Sequence, residues 1–220
     1  MSPILDACVM TMVRDGDDYL YPCIATLAPH VKRVKIAVDG RSKDGTWAVA
    51  QRLSKQFPNV SVWMYPVQEP LTDLVLMRNS MLSFTEKWGW IVDSDELHYI
   101  IPNLGEADAY SFMCFAPWNK THGHKASQRA IIGRIFRNKP GLEWRGKFGK
   151  EKLYCGDKRV FDESVLLPYR YIHFTHLKKD KWREEMNQRR VADGRSLSPL
   201  PEDVIKVIEH VHENMPNVRG

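Results

Sequence analysis

From residue 6 to about residue 115 the chain alternates short apolar runs with segments of helical length, and this alternation leaves few architectures open. Strands that recur with a helix between them argue for a parallel sheet covered by helices. "DACVMTMV" reads as a first strand and "YLYPCIATLAPHV" as a helix with a proline near its first turn. "VKRVKIAVDG" reads as a second strand, and "TWAVAQRLSKQF" as a helix in which Trp47, Ala50 and Leu53 share a face and Pro58 ends the pattern. "NVSVWMYPV", "LTDLVLMRNSMLSFTEK" and "WGWIVDSD" continue the series as strand, helix and fourth strand.

The rhythm then changes. "ADAYSFMCFAPW" and "RAIIGRIFRN" read as strands joined by the polar loop "NKTHGHKAS", followed by a Gly- and Lys-rich stretch from Pro140 to Lys158. Two helical patterns close the chain, "KKDKWREEMNQRRV" and "PEDVIKVIEHVHENM". In the second, Val204, Val207, Ile208 and Val211 form one stripe, and Ser198, Pro199 and Pro201 mark its start. The expected fold is α/β: a mostly parallel central sheet flanked by helices, a smaller mixed or antiparallel region, and C-terminal helices. With 220 residues, 43% of them apolar, a single domain is expected.

Cys8, Cys23, Cys114 and Cys155 are scattered without a C-x-x-C pair, so reduced thiols in a cytoplasmic protein are expected rather than a zinc site or a disulfide framework. Asp6 interrupts the first apolar run and no run reaches the roughly 20 residues needed to span a bilayer, so neither a signal peptide nor a transmembrane segment is expected. A net charge of +5 favours anionic partners and leaves a peripheral membrane contact open.

In a parallel α/β sheet, ligands bind where the carboxyl ends of the strands open. Here the first strand ends at "RDGDD", the second at "DGRSKDG" and the fourth at "DSDE", so three strand ends bring acids to one edge. Asp93 and Asp95, two apart on an extended segment, would point to the same side and could share a hard divalent cation that cancels their repulsion. A solvated turn with Asp as a cap is the plainer reading of a lone D-x-D. Asp15 and Asp17 form a second one, which reads as loop.

"VDGRSKDGT", "MRNSM", "WGWIVDSDE" and "RIFRNKPGLEWRG", in this order and at helix-sized intervals, resemble family 2 glycosyltransferases of the GT-A fold over residues 6 to 155. The resemblance implies that Asp39 accepts a hydrogen bond from the nucleobase of a nucleotide-diphosphate sugar, and that Asp44 and Gly45 close around the nucleoside. It further implies that Arg78 contacts the donor, with Asn79 orienting helix or donor, and that Thr11, Val13, Arg14 and Ser94 complete the donor-binding set. Asp93 and Asp95 would hold Mn2+ or Mg2+, with His176, preferred over His173, as a third ligand. Inversion at the anomeric carbon would follow.

The sequence departs from that family where a general base is expected: Gly149 and Lys150 stand near the usual His-Glu pair. Glu151 is the leading candidate base, with Asp157 and Glu96 in competition. The division expected is residues 1–97 for the nucleotide sugar, 98–176 for the acceptor side and 177–220 as a helical tail. Trp118 and Trp144 fall in the acceptor half, and "HGH" at 122–124 reads as a loop over it. The basic cluster Lys178, Lys179, Lys181, Arg183, Arg189 and Arg190 is a solvated helix face, or else a site for an anionic acceptor such as a lipid-linked glycan or DNA. The rival readings are a nucleotidyltransferase on a related sheet, disfavoured by an acidic rather than Gly-rich basic loop after the first strand, and a basic nucleic-acid-binding module.

Overall fold

A computed structural model of the chain describes residues 4–115, 122–124, 130–147, 149–174, 197–199 and 202–214. In chain order the elements are β1 (Leu5–Val13), α1 (Leu20–Leu27), a 3-10 turn (Ala28–His30), β2 (Val31–Asp39), α2 (Thr46–Gln56), β3 (Val60–Tyr65), α3 (Pro70–Ser80), β4 (Trp88–Ile91) and β5 (Glu96–Leu97). There follow β6 (Ala109–Phe115), β7 (His122–His124), β8 (Ala130–Arg137), β9 (Leu142–Arg145), β10 (Lys152–Cys155), β11 (Lys158–Arg159), β12 (Val165–His173), β13 (Leu197–Pro199) and a tail helix α4 (Glu202–Asn214). Among the described residues no helix is long and apolar enough to cross a membrane.

The architecture is mixed α/β, with one large, mostly parallel sheet and a small antiparallel one. Eight strands form the large sheet in the order β3-β2-β1-β4-β8-β6-β12-β5. The first four are parallel neighbours, as the alternation of strand and helix predicts. β8 then inserts antiparallel between β4 and β6, so the second half of the chain extends the same sheet instead of building a separate one. β9, β10 and β11 make the small antiparallel sheet from the Gly- and Lys-rich stretch. β7 pairs with β13, so residues 122–124 form a short strand where a loop is expected.

β1 sorts its side chains by parity. Ala7, Val9 and Val13 enter the core beneath α1 and α2, while Cys8, Met10 and Met12 enter the core shared with α3 and the small sheet. All four residues of β4 are buried, because the strand lies between β1 and β8 with both faces covered. Gly89 is required there: a Cβ would meet the Phe136 ring, from the antiparallel neighbour, at 2.3 Å. α3 is shorter than its pattern and stops at Ser80, since Met81 and Phe84 turn inward against Ile91 and Phe136.

Candidate active site

Because β2, β1 and β4 run parallel side by side, their carboxyl ends open on one edge. Asp39 closes β2 and Asp93 follows β4, with only β1 between them. Two interstrand spacings and a two-residue stagger in register put these positions about 12 Å apart.

The loops after β1 and β2 are stitched together. Asp15, with φ 48°, accepts the Lys43 backbone N–H at 2.8 Å, and Asp17 accepts that of Gly45 at 3.3 Å. In return Asp44 accepts the Asp17 N–H at 3.2 Å and the Thr46 N–H at 3.0 Å, while the Thr46 hydroxyl accepts the Gly16 N–H at 2.7 Å. The second D-x-D therefore spends one oxygen of each aspartate on a backbone donor. Burial and the facing Asp44 charge push the Asp17 carboxyl up. Asp44 also meets a burial penalty, but its hydrogen bonds from Thr46 and Asp17 hold it below the usual range. Asp44 and Gly45 thus form the scaffold of this edge.

Of the remaining donor-side candidates, Thr11 and Val13 are buried, and the Thr11 hydroxyl has no hydrogen-bond partner among the described residues. Arg14 is exposed and pairs with Asp15 at 3.3 Å, and Ser94 is buried beside Gly16. Asp39 is buried and held by Arg41, whose Nε and Nη2 donate to its two oxygens at 3.0 and 2.6 Å, with the Arg41 backbone N–H adding a third bond at 2.9 Å. Burial opposes ionisation of Asp39, yet these bonds hold its carboxyl below the ordinary range. Among the described residues Oδ2 accepts a single hydrogen bond, that of Arg41.

After β4 the backbone does not stay extended. The Glu96 N–H donates to the Asp93 carbonyl at 3.0 Å, and the Asp93 N–H donates to the Glu96 side chain at 3.0 Å. This turn separates Asp93 from Asp95, so the two do not share a face of an extended segment. Asp95 is buried and pairs with His173 Nε2 at 3.2 Å. The ligand-type atoms that converge, all within 4.8 Å of one another, belong to Asp93, Glu96 and His173. His176 lies outside the described residues, as do Trp118 and the basic cluster at 178–190.

Arg134, almost wholly buried, reaches across from β8. Its Nη2 donates to Asp93 at 3.1 Å, to Glu96, and to the Tyr171 hydroxyl at 3.3 Å. Burial opposes its charge, but Glu96 and Asp93 raise its affinity for the proton well above normal. Burial likewise penalises charge on Asp93, and Arg134, Arg78 and His173 outweigh it, keeping this carboxyl below its usual range. His173 follows the same logic: against burial, hydrogen bonds to Asp95 and Cys114 raise it well above the ordinary histidine value. Two carboxylate oxygens and one imidazole nitrogen make a donor set for a divalent cation once His173 gives up its proton, Mn2+ better than Mg2+ given the nitrogen.

On the α3 side, Arg78 Nε pairs with Glu151 Oε1 at 2.9 Å and its guanidinium lies over the Trp144 ring at 4.9 Å. Asn79 fixes that ring's backbone from both sides, donating to the Trp144 carbonyl at 3.0 Å and accepting its N–H at 2.7 Å. Arg78, Arg134, Trp144 and Glu151 line a cavity of about 560 Å³ that runs beneath β8 toward the loop at 161–164. The second oxygen of Glu151 is buried without a hydrogen-bond partner among the described residues. Asp157 does not line this cavity. It stands fully exposed on the β10–β11 turn, 3.9 Å from Arg145.

The structure thus brings together Asp93, Arg78 and Glu151, draws in Glu96 and His173, and adds Arg134, which the sequence does not single out. Arg134 opens the "RIFRN" run, His173 stands second to His176 in the sequence, and Glu96 reads there only as a competing base. The signal available was the third acid of "DSDE", which a turn, unlike a strand, folds back onto the first.

No protein-family model matches the sequence, and no curated protein matches it. Among solved structures, TarS 1-349 of S. aureus matches at 13% identity and a TM-score of 0.41, over 60% of this chain and 47% of that one. The mannosyltransferase PcManGT of Pyrobaculum calidifontis, solved with GDP-Man and Mn2+, matches at 12% and 0.41, over 62% and 45%. The inositol-1-phosphate CTP transferase of T. maritima matches at 10% and 0.39, over 98% and 100%. The chain spans less than half the length of the first two.

Proposed function

We propose that the chain is a metal-dependent, inverting glycosyltransferase that moves a sugar from a nucleotide-diphosphate donor to a hydroxyl acceptor. The observation that carries this reading is the shared edge: a base-reading carboxylate (Asp39), a cation-type donor set (Asp93, Glu96, His173) and a cavity holding Arg78 and the unpartnered oxygen of Glu151.

In this reading Asp39 receives an N–H of the donor base on Oδ2, about 12 Å from the acid group. A divalent cation on Asp93, Glu96 and His173 would supply positive charge where the departing diphosphate gathers negative charge. Arg134 holds the Asp93 and Glu96 carboxylates in place, and its charge keeps Asp93 ionised. Arg78 offers its fork to a phosphate oxygen while its pairing with Glu151 holds that carboxylate in place. Glu151 accepts the proton of the acceptor hydroxyl on its free oxygen as the acceptor oxygen bonds to the anomeric carbon. The bond from that carbon to the diphosphate breaks on the opposite side, and configuration inverts.

The test is a thermal-shift panel of UDP-, GDP- and dTDP-sugars with Mn2+ or Mg2+, with and without chelator. A donor at about 100 times its dissociation constant should stabilise by roughly 2.7 kcal/mol, and only with the metal. Glu151→Gln should keep that shift and lose about 10²–10⁴-fold in transfer rate. Absence of a shift with every donor, or release of pyrophosphate from a sugar phosphate and a nucleoside triphosphate, refutes the reading.

A further inference from the structure

We propose that the hydroxyl acceptor carries a phosphate group, held by Lys152 and Arg159 at the mouth of the cavity that contains Glu151. The proposal rests on the transferase reading and names its acceptor class.

The small sheet carries an arrangement that folding alone disfavours. Its register sets Arg145 directly opposite Lys152 and Tyr154 opposite Arg159, so three cations share one face around a single aromatic ring. Like charges across a ladder destabilise it. Arg145 is compensated by Glu143 at 2.7 Å and Asp157 at 3.9 Å, and lies over the Tyr154 ring. Lys152 and Arg159 are not: among the described residues no carboxylate comes within ion-pair distance of either. Arg159 reaches the Tyr154 hydroxyl, at 3.4 Å.

Both residues line the cavity. Its other cations are committed, Arg78 to Glu151 and Arg134 to Asp93 and Glu96. Asp162 is the remaining acid of the lining, and its charge bears on Arg159. Two uncommitted cations against one acid leave a surplus of one positive charge beside the buried oxygen of Glu151, which itself calls for an O–H donor. Farther along the wall the Ser111 and Ser164 hydroxyls bond each other at 2.5 Å and present polar atoms for sugar hydroxyls. The volume, about 560 Å³, falls within the roughly 300–1,000 Å³ of small-molecule sites. The chemistry that satisfies every uncommitted group at once is a polyol bearing a phosphate.

That phosphate could belong to a soluble sugar phosphate or to a lipid-linked carrier, and calorimetry of the full chain separates them. Mannose 6-phosphate and mannose are the soluble probes, and phosphatidylglycerol vesicles against phosphatidylcholine vesicles are the lipid probes. Mannose 6-phosphate should bind at least about tenfold more tightly than mannose, and more weakly as salt rises. Lys152→Gln and Arg159→Gln should each weaken it about tenfold while the melting temperature and the donor-induced shift persist. Phosphatidylglycerol binding that these same variants abolish assigns the phosphate to a lipid carrier and also upholds the site. Equal binding of mannose and its phosphate, or variants that bind both probes as the parent does, overturns it. A donor shift without phosphate discrimination defeats this proposal alone. Phosphate discrimination without any donor shift keeps the anion site and removes its acceptor role.

Discussion

Replacing Arg134 by methionine removes the guanidinium that contacts both the fully buried Glu96 and the partly exposed Asp93. Arg134 is 8% exposed and Glu96 is 0% exposed, so water cannot take over the lost contacts. Glu96 would retain the Asp93 N–H and the His98 ring at 3.5 Å, but no fixed cation in contact. Removing one partner of a buried ion pair costs about 3–5 kcal/mol, a large share of a total stability of roughly 5–15 kcal/mol. For a chain of this size that corresponds to a fall of roughly 6–20 °C in melting temperature, at about 2–4 °C per kcal/mol. Arg134→Met combined with Glu96→Gln removes both charges together and should recover at least half of the loss, which circular dichroism melts and a double-mutant cycle measure directly. Mn2+ provides an independent arm. With the guanidinium gone the carboxylates lack a competitor for the cation, and saturating Mn2+ should restore about 2.7 kcal/mol to Arg134→Met at 100 times the dissociation constant. An Arg134→Met protein within about 1 kcal/mol of the parent, or strictly additive losses in the double variant, would show that Arg134 does not neutralise these acids.

The other expectations concern the edge, the sheet and α3. Arg41 holds the Asp39 carboxyl low despite burial, so this group contributes stability above its unfolded value of about 3.9 and loses it as pH falls through the lower folded value. Asp39→Asn should therefore be less stable than the parent in urea at pH 7 and converge with it below about pH 4; a constant difference across that window contradicts the assignment. Gly89→Ala drives a methyl into the Phe136 ring and should cost about 1–3 kcal/mol, part of which Phe136→Leu restores in the double variant. Asn79→Ala loses both bonds to the Trp144 backbone and should cost roughly 1–3 kcal/mol, with Asn79→Asp in between because it still accepts the Trp144 N–H; chemical denaturation ranks the three.

The parallel half of the sheet was legible because its signals are local. β1 to β4 are bracketed by helices, each strand is buried on both faces where it lies inside the sheet, and apolar runs of the right length point to that arrangement directly. The end of α3 was not, since "MLSFTEK" continues a helix-compatible pattern and only the pull of Met81 and Phe84 into the core stops it. The position of β8 was beyond local reasoning as well. Its run is recognisable as a strand, but nothing in it says that it will lie antiparallel against β4 before reaching β6.

The site divides along the same line. Asp39 could be placed from the chain alone, because a residue that ends a parallel strand must face the carboxyl edge. Asp93 could be placed too, but not its partners, since period-two reasoning fails once the backbone turns. The turn that carries Asp95 away to His173 folds Glu96 back onto Asp93, and this concentrates two acids where one strand end would hold a single exposed carboxylate. Burying Glu96 completely is tolerable only with a cation in the interior, and the cation arrives from Arg134, 38 residues away on a strand whose neighbour is set by topology. The acids are therefore in the sequence to be read, whereas their compensation exists only in the fold. Any divalent ion entering this group must share Asp93 and Glu96 with a guanidinium already there.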